Sequence, residues 1–253
     1  MQPFLKNRRF VLAFVGGALV GGTLAYSLLS SSNTRIVLTH VPENASIYLD
    51  NDLHHDEGGR VVLKDVTPGQ HTLLVAADGF WPWAKTIEIE DDSTLDFGVL
   101  ALWIKPELHT GTVTMENPEA AKVSMASLPT SEEPAVSADR NVHIWMDENV
   151  IYAAWQGREG KRPAYYCNPT CSNTLTVFNS DVPIRSLSFF GERSDAILFA
   201  AENGIFALEL DTRGTQNFQP LYLGTAPIFS LGDDSVLVYD GNDNESFFAV
   251  ELH

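Results

Sequence analysis

Basic residues, cysteines and helical periodicity are all scarce in this chain, and each scarcity removes a class of function. Only 16 of the 253 residues are Lys or Arg, against 33 Asp and Glu. Three of those cations, Lys6, Arg8 and Arg9, sit at the start, so 13 basic residues face 33 acidic ones in the remainder. A surface of that sign repels nucleic acid, whose binding needs clustered cations to displace counterions, and it repels anionic headgroups. No DNA or RNA partner is expected. Cysteine occurs twice, too seldom for a disulfide-knit scaffold and, without spaced partner ligands, for zinc. There is no G-x-S-x-G, H-E-x-x-H, P-loop or strand-following G-x-G-x-x-G, so no local motif names a reaction. The sequence therefore singles out no catalytic residue, no cofactor and no bound metal.

What is present begins with one hydrophobic run. Residues 10–29 carry no charge, and a helix of that length, at about 1.5 Å per residue, spans about 30 Å, the thickness of a bilayer's hydrocarbon core. The cations before it favour a cytoplasmic N-terminus. Residues 1–9 read as a cytoplasmic tail and 10–29 as a transmembrane signal anchor. The chain is thus expected in the cell membrane, single-pass, with its C-terminal domains extracytoplasmic. A cleaved signal peptide is the rival reading, since Ala25 and Ser27 suit a cleavage site, but the run exceeds the roughly 7–15 residues usual there. Ala13, Gly17, Gly21 and Ala25 recur every four residues, a small-residue stripe able to pack against a second helix and pair two copies.

The cysteines agree with export. Cys167 and Cys171 enclose Asn168-Pro169-Thr170, turn chemistry between the strand-like Ala164-Tyr165-Tyr166 and residues 175–178. Outside the cytoplasm they are expected to form a disulfide, which in so short a loop adds only about 2 kcal/mol. The spacing is not C-x-x-C and no helix follows, which argues against a redox pair.

From Thr34 onward the pattern has period two. Ile36 and Leu38 alternate with Val37 and Thr39, Ile47 and Leu49 with Tyr48 and Asp50, and Ile87 and Ile89 with Glu88 and Glu90. Turn signals at Asp50-Asn51-Asp52, Gly58-Gly59, Pro68-Gly69 and Asp78-Gly79 separate the runs, predicting a small antiparallel β-sandwich. Pro42-Glu43-Asn44-Ala45, Ile47-Tyr48-Leu49-Asp50, Pro68-Gly69-Gln70-His71 and Ala77-Asp78-Gly79-Phe80 resemble the PEGA domain, a β-sandwich of exported prokaryotic proteins, over residues 34–103. Asn44 stands where that family has Gly, a mild change because Asn tolerates positive φ. The resemblance implies cell-surface placement and a binding or spacer role, and it brings no catalytic residues.

Residues 104–136 carry Pro106, Pro118, Pro129 and Pro134 and read as a linker in which 109–115 can form one strand. Strands return over 137–253. There a weak repeat pairs the unit starting at Pro183-Ile184 with that starting at Pro227-Ile228, a 44-residue period matching four-stranded propeller blades. At that period 137–253 holds about three blades, short of the four a closed ring needs, and its last unit lacks an outer strand that 109–115 would supply. An open stack, or two chains closing one ring, are the other solutions. The fold class expected is therefore all-β after one N-terminal transmembrane helix: a small antiparallel sandwich plus propeller-like blades.

Four groups draw attention as sites. His54-His55-Asp56-Glu57 is dense in metal ligands, but consecutive residues point different ways and the flanks mark a hairpin tip. Asp240, Asn242, Asn244 and Glu251 fit positions of a calcium loop, yet Glu245 stands where that loop requires Gly, and a hairpin turn explains them better. Trp81 and Trp83, around Pro82, suit ligand contact by stacking if exposed, or edge packing if buried. Arg158, Lys161 and Arg162, interleaved with Gly157 and Gly160, read as a basic hairpin loop able to meet an anion or polysaccharide. The function expected is a non-enzymatic envelope protein that presents β-modules to cell-wall polysaccharide, a surface layer or an envelope protein. The alternatives are an envelope glycan hydrolase or peptidase using carboxylates on the propeller-like face, and a subunit of a membrane assembly.

Overall fold

Alternation of apolar and polar residues dictates strands throughout, and strands are what form. The computed structural model describes residues 34–54, 59–99, 102–103, 105, 107–168, 170–232, 235–241 and 246–251. The expected anchor at 10–29 and its stripe of Ala13, Gly17, Gly21 and Ala25 lie outside the described residues. Among the described residues no helix is long and apolar enough to cross a membrane. The described residues are mostly β, in several small sheets with no closed barrel among them.

The first two sheets pack face to face. Strands β1 (Arg35–Val41), β4 (Gly59–Lys64) and β7 (Thr94–Val99) form one in the order β4-β1-β7. Strands β2 (Ser46–Leu49), β3 (Asp52–His54), β5 (Gly69–Ala76) and β6 (Trp83–Ile89) form the other, in the order β3-β2-β5-β6. Ile36, Leu38, Ile47, Leu73, Val75 and Ile87 share the core between them. Asn44 has φ +65°, the conformation for which Asn is the fittest substitute for Gly. One expectation is corrected: the sandwich is not wholly antiparallel, because β1 pairs with β7 in parallel. Period-two alternation fixes which face is buried but not strand direction, and the long chain between β1 and β7 leaves room for a crossover through the second sheet.

His71, on β5, is 7% exposed. Its Nδ1 lies 2.5 Å from Asp50 Oδ2 and its Nε2 2.6 Å from the Thr67 carbonyl oxygen, so each ring nitrogen has an acceptor beside it. Burial presses the imidazole pKa down, but the Asp50 and Thr67 hydrogen bonds, with the charges of Asp50 and Glu88, outweigh it and raise the value. Asp50 is lowered, first by the Thr72 amide and then by His71. The raised histidine stabilises fully below its ordinary pKa of about 6.5 and loses that as pH climbs through its folded value. The lowered carboxyl stabilises above its ordinary value of about 3.9 and loses that as pH falls through its folded value. Stability should therefore plateau between these limits and decline as pH rises through the histidine's raised folded value. Because Asp50 is half exposed, solvent screening keeps the effect below about 1 kcal/mol. In thermal melts across pH 5 to 9, H71Q should remove this step; an unchanged profile would contradict it.

The rest of the chain forms three four-stranded sheets. The first holds β9 (Ala135–Val136), β10 (Val142–Asp147), β11 (Val150–Trp155) and β12 (Thr174–Asn179). The second holds β13 (Ser186–Phe189), β14 (Ala196–Ala201), β15 (Gly204–Glu209) and β16 (Phe218–Leu223). In the third, β17 (Ile228–Leu231), β18 (Ser235–Asp240) and β19 (Ser246–Glu251) are completed by β8 (Glu107–Val113), which pairs antiparallel with β19. That outer strand overlaps the segment expected at 109–115. The opening strands β9 and β17 both lie against β13.

The second sheet is the centre of this half. One core cluster joins it to the first sheet and another to the third. Every residue of β14 and β15 is accordingly buried, which is why Ala196-Ile197-Leu198-Phe199-Ala200-Ala201 reads as an unbroken apolar run. Two local expectations are corrected. Ala164-Tyr165-Tyr166 is a 3-10 turn rather than a strand, closed by Tyr166 N to Pro163 O at 3.0 Å and Cys167 N to Ala164 O at 2.9 Å. The supposed linker also contains a helix, α1 (Pro118–Met125). Asn117 caps it by accepting from the Ala120 amide at 3.2 Å, and Pro118 occupies its first turn. Helix α1 packs on β17, and Ser186 Oγ at its end donates to Met125 O at 2.7 Å.

Candidate functional site

One lysine organises the junction between the sandwich and the three-sheet half. On β6, Lys85 falls on the same face as the buried Trp83, Ile87 and Ile89. Its side chain is fully buried. Nζ donates to the carbonyls of Asp211, Arg213 and Thr215 at 2.9, 3.0 and 3.1 Å and meets Glu209 Oε1 at 2.6 Å. Glu209 also accepts from the Asn217 amide at 2.7 Å and from Trp83 Nε1 at 3.0 Å. Burial pushes the Glu209 carboxyl up, and the Lys85 ammonium and the other donors pull against that shift. The Thr86 amide donates to Thr215 Oγ1 at 2.8 Å and the Thr215 amide to Thr86 O at 3.2 Å, so the free edge of β6 is paired. Gly214, at φ +66°, lies so close that a Cβ there would overlap the Thr86 carbonyl. Leu102 and Trp103 tighten the link further: neighbours in sequence, they are buried in different cores.

Beside this junction lies a cavity of about 680 Å³. Trp83, Phe97 and Gly98 wall it from the sandwich, and residues 162–165, 192–195 and the end of β15 wall it from the other half. Three guanidiniums and five carboxylates line it. Half of them neutralise one another. Arg213 forks onto Asp211, with Nε to Oδ1 at 3.0 Å and Nη2 to Oδ2 at 2.7 Å, while Nη1 donates to Asp96 O and the guanidinium lies 4.9 Å from the Phe97 ring. Arg193 forks onto Asp195 at 2.9 and 2.7 Å. Arg162 differs. Among the described residues its one ion pair is with the exposed Glu159 at 3.6 Å, and its Nε is buried without a hydrogen-bond partner.

Local sequence fixes Arg162 and its neighbours. A 3-10 turn at Glu159–Lys161 precedes it, and Pro163 holds it extended at φ −60° and ψ 129°. The disulfide between Cys167 and Cys171 follows directly and clips the chain behind the Ala164–Tyr166 turn. Tyr165 packs on Tyr166 with ring centroids 5.0 Å apart, and Tyr166 packs on Trp155 at 6.2 Å. Burial, together with Tyr166, Asp195 and Asp211, pushes the Tyr165 hydroxyl well above its usual pKa, so it remains a donor.

Comparisons with known proteins add no family. No family model and no curated protein matches the chain. A solved structure described as "AfRom2 CNH domain" aligns at 9% identity over 80% of this chain and 68% of that one, with a TM-score of 0.28, too low to argue from.

The residues that sequence reading singles out are scattered by the fold. Trp83 is 4% exposed and walls the cavity, while Trp81 is half-buried against the core between the second and third sheets. Their rings serve different places. Of the basic loop, Arg162 reaches the cavity, whereas Arg158 and Lys161 are exposed. Asp240 is buried, accepting from Tyr222 Oη at 3.2 Å and the Thr225 amide at 3.0 Å, and Asn242 and Asn244 lie outside the described residues. His54 ends β3, and His55, Asp56 and Glu57 lie outside the described residues. Among the described residues no His, Cys, Asp and Glu gather as a metal site. Sequence reading misses Lys85, although a lysine between Trp83 and Ile87 on an apolar face is a visible signal of burial. Its partner Glu209, on another module, leaves no local trace.

Proposed function

We propose that this chain is a single-pass cell-envelope protein that holds a PEGA-like sandwich and three propeller-like blades outside the membrane as one rigid binding unit, with no catalysis of its own. The N-terminal run, the cations before it and the acidic remainder support the placement. The PEGA-like turns support a surface role, and the three sheets around β13 support an open blade array.

The observation that carries the binding reading is the junction cavity. It has the size of small-molecule sites, and it holds in Arg162 a guanidinium with unused donors. The enzyme alternative loses ground in the same place. Glycan hydrolysis needs two carboxyl groups free to donate and attack, but the buried Glu209 is tied by three donors, Asp211 and Asp195 by forked arginines and Asp96 by the Gly98 amide, which among the described residues leaves Glu192 alone. Affinity capture of the full-length protein from intact envelopes, with and without cell-wall digestion, tests the reading. Recovery of wall fragments by the wild type and their loss in R162A are expected. Equal recovery by both proteins, or none by either, would overturn it.

A further inference from the structure

The cavity also carries information about its occupant. Arg162 has five N–H donors and, among the described residues, makes no hydrogen bond through them. Tyr165, 8% exposed and on the same wall, makes no side-chain hydrogen bond among the described residues either. Donors that lack acceptors in one pocket call for an acceptor-rich ligand, and a planar carboxylate matches a guanidinium fork. The charge around them sets a limit. Two of the three guanidiniums are already matched by Asp195 and Asp211, so a phosphate dianion would meet a net negative surround. On the 192–195 wall, Glu192 is exposed and among the described residues makes no ion pair. The rings of Phe97 and Tyr165 line the same cavity.

We propose that the cavity binds a short peptide by its zwitterionic ends, with the carboxylate on Arg162 and the Tyr165 hydroxyl, the ammonium at Glu192 and the small side chains against Phe97. This rests on the cavity being the ligand site, as argued above. An anion alone satisfies Arg162 but leaves Glu192 unmatched; a cation alone does the reverse. A zwitterion matches both.

Calorimetric titration of the full-length protein in detergent micelles tests this with four probes: trialanine, trialanine amide, N-acetyl-trialanine and inorganic phosphate. Trialanine should bind, and removal of its carboxylate should weaken binding about tenfold or more, the scale of a charge-assisted hydrogen bond. Acetylation of its amine should weaken binding by a smaller factor. In R162A the preference for trialanine over its amide should vanish, and R162K, which keeps the charge without the fork, should restore part of it. Unchanged thermal melting in R162K shows that the loss is not one of folding. Equal binding of trialanine and its amide by the wild type, or tighter binding of phosphate, would overturn the proposal. If no peptide binds while envelope capture still depends on Arg162, the peptide class is wrong and the cavity stands; if capture is also independent of Arg162, the cavity reading falls.

Discussion

Replacing Lys85 with methionine should destabilise the protein by about 3–5 kcal/mol, the cost of leaving one member of a buried ion pair alone. The size follows from what the ammonium satisfies. Without it, Glu209 keeps a charge beneath the surface with only neutral donors, and the carbonyls of Asp211, Arg213 and Thr215 lose their shared donor. Methionine fills the volume, so the loss measures polar satisfaction rather than a cavity. In calorimetric melts the wild type should unfold in one transition, because the sandwich is fastened to the central sheet here. The variant should show an earlier transition for the sandwich. Adding E209Q to K85M should cost less than the two single changes summed, since the stranded charge is removed. Additive costs would mean that the pair is not coupled as described.

The second large effect concerns the seam between the first and second sheets. Phe199 is 2% exposed, and its ring centroid lies 5.1 Å from Phe178, 5.7 Å from Phe206 and 6.0 Å from Phe218. F199A should cost about 3–5 kcal/mol, combining lost transfer energy with the void left by an aromatic ring. F199L, which nearly conserves volume, should cost under about 1.5 kcal/mol. Urea denaturation with equal slopes for the three proteins measures both values. A cost for F199A near that of F199L would show that the seam collapses around the gap.

These two sites also divide what the sequence discloses from what it conceals. Ile87 and Ile89 announce a half-buried strand because their charged neighbours Glu88 and Glu90 face water. The repeat starting at Ile184 and Ile228 is visible because the two sheets bury equivalent apolar runs, and the strand that completes the third sheet is inferable from the strand missing there. Direction is hidden, however, and the parallel pairing of β1 with β7 leaves no mark on a period of two. Helix α1 is only eight residues long, two turns, and shows itself chiefly through its cap at Asn117-Pro118. The cavity is less legible still. Trp83 and Arg162 are each noticed for local reasons, but nothing in their sequence neighbourhoods says that they share a wall. That meeting depends on Lys85 finding Glu209 across 124 residues, a long-range choice that one sequence does not encode in any window.

A distance distribution between spin labels on the two halves tests most directly whether they form one body with a cavity between them. Lys64→Cys on β4 and Thr176→Cys on β12 are exposed positions, and the native cysteines are tied in their disulfide and leave the new thiols to react. A single narrow distance in the wild-type background, broadened by K85M, is the predicted result. A broad or multiple distribution in the wild-type background, with its β-structure intact, would contradict the account.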